Sequence, residues 1–489
     1  MELQKTNAKR HWKKIGIKHH HGVCIPLFAL HSRMSCGIGE YPDLLPLIDW
    51  VKTLQMDTIQ LLPINDTGEQ VSPYSPISSM ALNPLYLGIS RLPSVKDSPL
   101  LRSLKALTKT QWIDYEKVRT GKEKFLWQYF RQMFPHQSKS NAYRAFIKSH
   151  PWLKDYADFM LSKNPQNERD FYYFVQFLCY KQLSQVKQKA DKKGVLLKGD
   201  IPILISPDSS DVATNPDLFD TNVSAGAPPD QYATDGQNWG FPLYRFEGEK
   251  SKILQWWKSR LQFHENFFHL YRIDHVVGLF RIWAIPKGNS AANGHYVPKN
   301  RRKWLPEGRS ILQYFLDHSS MFPIAEDLGT VPASARKCLH EMGIPGTKVM
   351  RWEKRESGSF IPIQKYPPDS MTCLSTHDTE TLQQWWNKNP AIAKQFAKSF
   401  GLTYEKTLSY QLRKDILTLS HRSSSYFHIN LLQEYFPLVS GMAWDRPDDE
   451  RINRPHLNVK KNWRYRYRKS VEEITSNQQL KKEILEIIV

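Results

Sequence analysis

Eight short apolar runs, each followed by turn residues and then a helical pattern, predict an α/β fold of the (β/α)8 (TIM) barrel class. The runs are unbroken rather than alternating between apolar and polar residues, as expected of parallel strands that are covered on both faces. Their number matches the strand count of this barrel. A chain of 489 residues can form such a barrel, with insertions, as one domain spanning 1–489. Periodicity alone leaves a doubly wound parallel sheet as the alternative.

The predicted strands follow one another at uneven intervals. In chain order they occupy residues 22–30, 57–64, 194–203, 270–278, 322–329, 347–352, 371–379 and 424–432. Two intervals are much longer than a single crossover helix requires. We interpret residues 66–193 as a mostly helical insertion between the second and third strands, because aromatic residues recur there at helical spacing. Residues 204–252, rich in Pro, Gly, Asn and Asp, predict a long ordered loop at the C-terminal face of the barrel.

The formal net charge of +20 would attract polyanions such as nucleic acid. Lysine and arginine are spread along the whole chain, however, so a solvated basic surface is the preferred interpretation and no nucleic-acid partner is predicted. The densest cluster, KKNWRYRYRKS at 460–470, mixes cations with aromatic residues that could stack on bases. We expect instead an amphipathic helix whose aromatic side chains face the core.

Five cysteines without a C-x-x-C pair predict free thiols and a cytoplasmic location, rather than a disulfide framework or a zinc knuckle. The basic N-terminal stretch is followed by an apolar run that is too short for a signal peptide or a membrane span, so no membrane partner is expected. The sequence leaves the oligomeric state open, and we expect a monomer.

Three predicted strands end in acidic residues: Asp274 in YRIDH, Glu326 in IAEDLG and Asp378 in STHDTE. A barrel would bring all three to its C-terminal rim, where the chemistry of this fold takes place. Glycoside chemistry requires paired carboxylates, one to attack the anomeric carbon and one to transfer the proton. Arg272, two residues before Asp274 and on the same face of the strand, would keep the nucleophile ionised. Three acidic strand ends favour an active site over a buried structural ion pair.

Metal binding is the competing use of these side chains. His275 and His377, with Asp274 and Asp378, could ligate zinc or a pair of metal ions. Adjacent residues on a strand point to opposite faces, however, and the sequence has no H-E-x-x-H motif. We therefore expect no metal and no other cofactor. Without a P-loop or a G-x-G-x-x-G motif, phosphoryl transfer and dinucleotide binding lack support.

Longer motifs run through nearly the whole chain. They are SCGIGEYPDL (35–44), SPYSPISSMALNPLYL (72–87), GDIPILISPDSSDVATNPDLF (199–219), GAPPDQYATDGQNWGFPLY (226–244), YRIDHVVGLFRIWAIP (271–286), IAEDLGTVP (324–332), GIPGTKV (343–349), STHDTETLQQWW (375–386) and NWRYR (462–466). In these motifs and their order the chain resembles the 4-alpha-glucanotransferases (amylomaltases, or disproportionating enzymes) of the α-amylase superfamily. Together the motifs are highly specific, although HDT or EDLG alone would be a weak signal.

The resemblance implies a (β/α)8 barrel with inserted subdomains and no separate C-terminal β-domain. It also implies a double displacement on α-1,4-glucans that retains the anomeric configuration. Asp274 matches the nucleophile, Glu326 the general acid/base, and Asp378 the third acid, which holds sugar hydroxyls and stabilises the transition state.

The resemblance further implies a set of substrate-binding residues. Arg272 and His377 match the partners of the catalytic acids, and Tyr74 in SPYSP matches the aromatic residue beneath the sugar. Asn238 and Trp239 in GQNWG match a mobile loop over the acceptor side. An aromatic and amide-rich cleft suits a sugar, which offers a C–H face for ring packing and hydroxyls that need polar partners.

Transfer to the 4-hydroxyl of another glucan is the preferred reaction, and hydrolysis with water as acceptor is the alternative. The same carboxylates serve both, and the GQNWG loop favours transfer if it holds a sugar and excludes water. A non-catalytic carbohydrate-binding or nucleic-acid-binding protein is a third hypothesis, against which the three intact acids argue. The expected partners are maltooligosaccharides and larger α-1,4-glucans. The segment 293–306 departs from the family pattern and continues with basic residues, which leaves the preferred donor length open.

Overall fold

The eight apolar runs form the eight strands of one parallel sheet in the computed structural model, which describes residues 2–229, 234–455, 457 and 459–488. The strands are β1 (His20–Ile25), β2 (Thr58–Leu61), β3 (Leu196–Ile201), β4 (Leu270–Ile273), β5 (Phe322–Ala325), β6 (Gly346–Val349), β7 (Ser370–Cys373) and β8 (Phe427–Leu431). Each overlaps its predicted run. All eight end earlier than predicted, because the last residues of the runs leave the sheet to form the loops of the rim.

Neighbouring strands in the sheet follow one another in the chain, except that the first strand pairs with the last, in the hydrogen-bonded order β5–β4–β3–β2–β1–β8–β7–β6. The two outer strands also meet, because the amide of Ala325 in β5 donates to the carbonyl of Pro345, just before β6, at 2.7 Å. Thr347 Oγ1 of β6 donates to the Ala325 carbonyl at 2.9 Å. The sheet therefore closes into a barrel, which confirms the predicted class over a doubly wound sheet with its reversed strand order.

The closed sheet brings the carboxyl ends of the strands to one rim. β4 ends at Ile273, directly before Asp274, and β5 ends at Ala325, directly before Glu326. These last strand residues are aligned with each other in the parallel register. The amide of Glu326 donates to the carbonyl of Ile273 at 2.9 Å, so the pairing continues past the strands. The two acids consequently emerge side by side.

Helices cover the sheet and its loops. They are α1 (Lys9–Ile15), α2 (Leu44–Thr53), α3 (Pro99–Ala106), α4 (Tyr115–Gln137), α5 (Asn141–Ser149), α6 (Trp152–Lys163), α7 (Arg169–Lys193), α8 (Ser210–Thr214), α9 (Phe246–His264), α10 (Trp304–His318), α11 (Ala333–Met342), α12 (Leu382–Lys388), α13 (Pro390–Ser399), α14 (Tyr410–His421), α15 (Val471–Ser476) and α16 (Gln478–Ile488).

Helices α3 to α7 lie between β2 and β3, in the segment interpreted from the sequence as a helical insertion. Aromatic side chains pack inside it: Phe171 of α7 stacks on Trp127 of α4, with ring centroids 3.8 Å apart. A buried ion pair joins the segment to the loop after β1, because Lys122 Nζ of α4 donates to Glu40 Oε1 at 2.7 Å. The limits 66–193 of a separate unit stay a prediction.

The segment 204–252, expected as a long loop, forms short elements in its described part. Besides α8 and the start of α9 it holds Phe219–Asp220, Val223–Ala227, Gln237–Asn238 and Leu243–Tyr244. Val223–Ala227 pairs with Gln237–Asn238 on one side and with Ile282–Pro286, which follows β4, on the other. The segment 293–306 contributes the outer strand of this small sheet, His295–Val297. Residues 230–233 of the expected loop lie outside the described residues.

The predicted amphipathic helix at 460–470 is wrong. Residues 460–463 form a turn in which Trp463 has a positive φ of 63°, and residues 464–470 form no helix. The amide of Tyr467 donates to the carbonyl of Ala29 at 2.9 Å, outside the segment. The aromatic residues Trp463, Tyr465 and Tyr467 are buried, as expected. They occupy every second position, and a period of two is that of an extended chain rather than of a helix.

Two composition-based observations complete the fold. All five cysteines are buried free thiols, which confirms the prediction of no disulfide framework. Cys24 of β1 and Cys373 of β7 are small core residues, 5 % and 2 % exposed. Within the described residues, no helix combines the length and the apolar character that crossing a membrane requires.

Candidate active site

The guanidinium of Arg272 lies at the centre of the rim. Its Nη1 donates to Asp274 Oδ1 at 2.6 Å and to Asp200 Oδ1 and Oδ2 at 2.9 and 3.1 Å. Its Nη2 lies 3.7 Å from Glu326 Oε2. Because the Arg272 side chain is only 11 % exposed, these charges interact with little screening by water. One cation thus faces three carboxylates that come from three neighbouring strands.

Glu326 is held by two backbone amides. The amide of His275 donates to Oε2 at 2.7 Å, and the amide of Leu328 donates to Oε1 at 3.0 Å. The side chain is 13 % exposed, compared with 25 % for Asp274. The carboxyl group therefore has a fixed orientation beside the Arg272 guanidinium.

The turn after β4 explains how a strand-like run can carry these polar groups. His275 has a left-handed backbone conformation with φ of 48°, so the chain turns sharply after Asp274. The amide of Val276 donates to the carbonyl of Glu326 at 3.1 Å, which fixes this turn to the loop after β5. Such strained positions cluster at functional sites.

Asp200, the last but one residue of β3, connects Arg272 to an aromatic group. Its side chain is fully buried, and Tyr74 Oη donates to its Oδ2 at 2.7 Å. The Tyr74 ring stacks on His377, with ring centroids 5.0 Å apart and an interplanar angle of 17°. The indole of Trp463 lies 5.6 Å from the Tyr74 ring. The aromatic group and the carboxylates therefore form one connected set of contacts.

Asp378 follows β7 and lies beside the His377 ring of this aromatic group. Its Oδ2 lies 3.2 Å from His377 Nε2, and Asn453 Nδ2 donates to its Oδ1 at 2.7 Å. Arg451 Nη2 donates to the Asp378 backbone carbonyl at 3.1 Å. The side chain remains 43 % exposed, so its oxygens are accessible from the cleft.

Trp239 and Asn238 lie on the small antiparallel sheet beside the rim. The Trp239 indole meets the ring of His275 edge to face, with centroids 4.8 Å apart. Asn238 is exposed, and its Oδ1 accepts from Ser224 Oγ at 2.6 Å and from the Gly240 amide at 3.0 Å. Trp239 thus lies next to the turn that carries Asp274. Asn238 has no described contact with the rim carboxylates, and its substrate contact stays a prediction.

The surroundings of Glu326 and Asp378 give these two acids different pKa values. Burial, reinforced by the negative charge of Asp274 and opposed by Arg272, raises the pKa of Glu326 to about 7. Burial also works against ionisation of Asp378, but His377, the Asn453 hydrogen bond and Arg272 together lower its pKa to about 2. Because the Asp378 side chain is 43 % exposed, water screens part of this effect. Near neutral pH one carboxyl group can therefore hold a proton while another stays ionised.

Sequence reasoning did not single out several residues of this site. Asp200 was detectable, because it is an acid inside an apolar strand run, as Asp274 is at the end of one. Asn453 gave no local signal, and Trp463 was singled out only as a core-facing aromatic residue in the NWRYR motif, since only the fold brings them to Asp378 and Tyr74.

The arrangement suits sugar chemistry. Partly exposed carboxylate oxygens, an aromatic group and two carboxyl groups with separated pKa values lie together at one rim, as glycoside cleavage requires. Among the described residues, no group of three or more His, Cys, Asp or Glu side chains is placed to hold a metal ion.

Comparisons with known proteins agree with this description. A family model described as 4-alpha-glucanotransferase matches residues 25–170 and 160–472. The 4-alpha-glucanotransferase of Chlamydia caviae is 42 % identical over 519 aligned positions, covering 99 % of this chain and 97 % of that protein. That of Chlamydia pneumoniae is 42 % identical and covers 95 % and 94 %. The amylomaltase from Streptococcus agalactiae, solved in complex with acarbose, superimposes with a TM-score of 0.81 at 23 % identity, over 96 % of this chain and 98 % of that one, which supports the barrel fold.

The raised pKa of Glu326 predicts a pH-dependent effect on stability. Protonated Glu326 is favoured in the folded state, so its contribution is fully present below the ordinary pKa of 4.5 and is lost as the pH rises through about 7. The amide introduced by Glu326→Gln cannot ionise, so the variant does not lose stability in this way as the pH rises. Its unfolding free energy should therefore rise relative to wild type by roughly 2–3 kcal/mol between about pH 5 and about pH 8.

Chemical denaturation of both proteins across this range measures the difference. Following the difference between the two proteins across pH removes any constant offset caused by the amide itself. A difference that stays constant from acid to alkaline conditions would show that Glu326 has an ordinary pKa.

Proposed function

Since this chain belongs to the 4-alpha-glucanotransferase family, we propose that it transfers a segment of an α-1,4-glucan to the 4-hydroxyl of another glucan or of glucose. The reaction is a retaining double displacement through a covalent glycosyl-enzyme intermediate. The observation that carries the proposal is the contact of Asp274 and Glu326 with the same Arg272 guanidinium, at 2.6 and 3.7 Å.

In the first half-reaction Asp274 is the nucleophile. One of its carboxylate oxygens forms a bond to the anomeric carbon, and the bond from that carbon to the leaving glucan's O4 breaks. Glu326 gives its proton to this O4, as its raised pKa permits near neutral pH. Arg272 supports the ionised nucleophile through its 2.6 Å hydrogen bond.

In the second half-reaction Glu326 is the base. The 4-hydroxyl of an acceptor sugar attacks the anomeric carbon, its proton passes to Glu326, and the bond to Asp274 breaks. The enzyme returns to its starting protonation state, and two inversions give net retention. Water in place of the sugar would give hydrolysis, the alternative function.

Asp378 and its neighbours are proposed to hold the sugar that is being cleaved. The ionised Asp378 accepts hydrogen bonds from sugar hydroxyls, and Asn453 and His377 fix its orientation. The face of the Tyr74 ring supplies an apolar surface for the C–H groups of the sugar. Tyr74 is itself fixed through its hydrogen bond to Asp200.

Trp239 and Asn238 are proposed to cover the acceptor side. The contact of Trp239 with His275 puts an indole beside the turn that carries the nucleophile. A sugar bound against this indole would shield the intermediate from water and favour transfer. The segment 204–252, in its described part, is proposed as the region that covers the substrate.

The physiological setting is also a proposal. Maltooligosaccharides and larger α-1,4-glucans are the proposed substrates, with no cofactor, and the enzyme is proposed to act as a monomer. The five buried free thiols support a cytoplasmic location, because a reducing compartment preserves them.

Maltotriose as the sole substrate distinguishes transfer from hydrolysis. A transferase should release glucose and build a ladder of longer maltooligosaccharides, while the number of reducing ends stays constant. Chromatography of the products together with a reducing-sugar assay measures both. Products limited to glucose and maltose, with rising reducing ends, would establish the hydrolase instead.

The variant Asp274→Asn tests the nucleophile. Its neutral amide cannot form the glycosyl ester, so turnover of maltotriose should fall by at least about a thousandfold. Circular dichroism and thermal denaturation should show an intact fold. Asp97→Asn, which changes an exposed acid just before α3 with a side chain 59 % exposed, is the matched control and should retain activity. Near wild-type turnover in Asp274→Asn would refute the assignment.

A further inference from the structure

A lysine side chain lies inside the barrel, below the candidate active site. Lys198 of β3 is 0 % exposed. Its Nζ donates to Gln60 Oε1 of β2 and to Met371 Sδ of β7, both at 2.9 Å. β7 is four strands away from β3 around the sheet, so the Lys198 side chain points across the barrel interior to reach it. The ammonium group is therefore an interior charge of the barrel and not a surface one.

The strand register places Lys198 one layer of side chains below Asp200. Asp200 lies opposite Arg272 of β4, whereas Lys198 lies opposite Leu270 of the same strand and opposite Gln60 of β2. Residues two apart on a strand point to the same face, with a separation of about 7 Å. Asp200 and Arg272 therefore belong to the layer at the rim, and Lys198 belongs to the layer directly beneath it.

The surroundings of this ammonium group are unusual for a buried charge. Bulky branched apolar side chains normally fill the interior of this fold. Both hydrogen-bond partners of Lys198 are neutral, and among the described residues it forms no ion pair with an aspartate or a glutamate. Replacing buried charges by apolar side chains of similar volume is often neutral or stabilising. Stability therefore does not explain the lysine, and such departures from apolar packing are expected at functional sites.

The ionisable groups that face Lys198 come from β1, β3, β4 and β7. Burial and the positive charge of Arg272 lower the pKa of Lys198 to about 7, and the negative charge of Asp200 opposes this. Burial raises the pKa values of Cys24 and Cys373 to about 12, so both thiols stay neutral. Below about pH 7 Lys198 is therefore a cation that faces one carboxylate, Asp200.

Asp200 is the rim acid that is hardest to keep ionised. Its side chain is 0 % exposed, whereas that of Asp274 is 25 % exposed. Burial and the negative charge of Asp274 raise the pKa of Asp200, and Arg272 opposes them. Arg272 also faces Asp274 and Glu326, so its charge is shared among three carboxyl groups. Protonation of Asp200 would weaken its hydrogen bonds from Arg272, because charge-assisted bonds are the stronger ones.

We propose that Lys198 is a positioning residue for glucan transfer, whose ammonium group beneath Asp200 keeps that carboxylate ionised. The ionised Asp200 in turn holds the Arg272 guanidinium and the hydroxyl of Tyr74. These two groups fix the nucleophile and the aromatic face on which the sugar is proposed to lie. Lys198 acts through Asp200 and touches neither the sugar nor the reacting atoms. The inference rests on the proposed function, because it concerns the same site.

The pH profile of kcat/KM for maltotriose tests this role. Lys198→Met removes the charge and keeps a similar volume, so the pKa of Asp200 should rise. The acid side of the profile should move to higher pH by about one pH unit or more, as expected for two charges about 7 Å apart with little screening. At a pH on this side of the profile, kcat/KM should fall by about tenfold or more. Lys198→Gln, which is neutral but keeps a hydrogen-bond donor, should show the same displacement.

Met371→Leu is the matched control. It changes the packing around the ammonium group and removes the sulfur acceptor, but it keeps the charge of Lys198. The acid side of its profile should therefore coincide with that of the wild type.

Chemical denaturation separates a positioning role from a structural one. Since the pKa of Lys198 falls from its ordinary value of 10.5 to about 7, the buried ammonium lowers stability fully below pH 7 and less as the pH rises towards 10.5. Lys198→Met should therefore unfold at a higher denaturant concentration than the wild type at about pH 6, and this advantage should shrink by about pH 9. A variant that is less stable than the wild type at about pH 6 would show a structural role and overturn the proposal.

The outcomes distinguish this inference from the proposed function. A wild-type protein without turnover of maltotriose would refute the function, and the inference with it. With an active wild type, an unmoved acid side in both Lys198 variants, or an equal displacement in Met371→Leu, would overturn the role of Lys198 alone.

Discussion

The guanidinium of Arg272 is the interaction on which the candidate site depends. It bonds to Asp200 and Asp274 and faces Glu326, in surroundings that leave it 11 % exposed. Three carboxylates from adjacent strands would repel one another strongly in such a place without a central cation. Arg272 also fixes the aromatic group indirectly, because Asp200 holds the hydroxyl of Tyr74. The positions of the acidic and aromatic side chains around the site therefore depend on this one positive charge at the C-terminal rim of the barrel.

The barrel positions the acidic side chains, and the groups next to each acid determine its pKa. Glu326 is enclosed and lies close to the negative charge of Asp274, so protonation is favoured and its pKa rises to about 7. Asp378 has His377 and Asn453 as partners, and its pKa falls to about 2. Separating the pKa values of similar groups by their environments is how one site supplies both acid and base chemistry.

The sequence predicted the parts of this structure that depend on local pattern. Unbroken apolar runs located all eight strands, and acids directly after β4, β5 and β7 could be placed at one rim because parallel strands share a carboxyl end. The prediction of a helix at 460–470 was wrong. The aromatic residues there recur with a period of two, and the basic residues between them were interpreted as the polar face of a helix. The contacts of Asn453 and Trp463 with the site were not predicted. They join residues that are 75 or more positions apart in the sequence, so local spacing does not indicate them.

Trapping the covalent intermediate tests the central assignment most directly. Glu326→Gln slows the second half-reaction, and an α-maltosyl fluoride needs no acid for its leaving group, so the glycosyl-enzyme should accumulate. Proteolysis and mass spectrometry then locate the attached sugar. The account predicts a maltosyl ester on Asp274 and on no other residue. A sugar attached to Asp200, Asp378 or another side chain, or no attached sugar while fluoride is released, would contradict it.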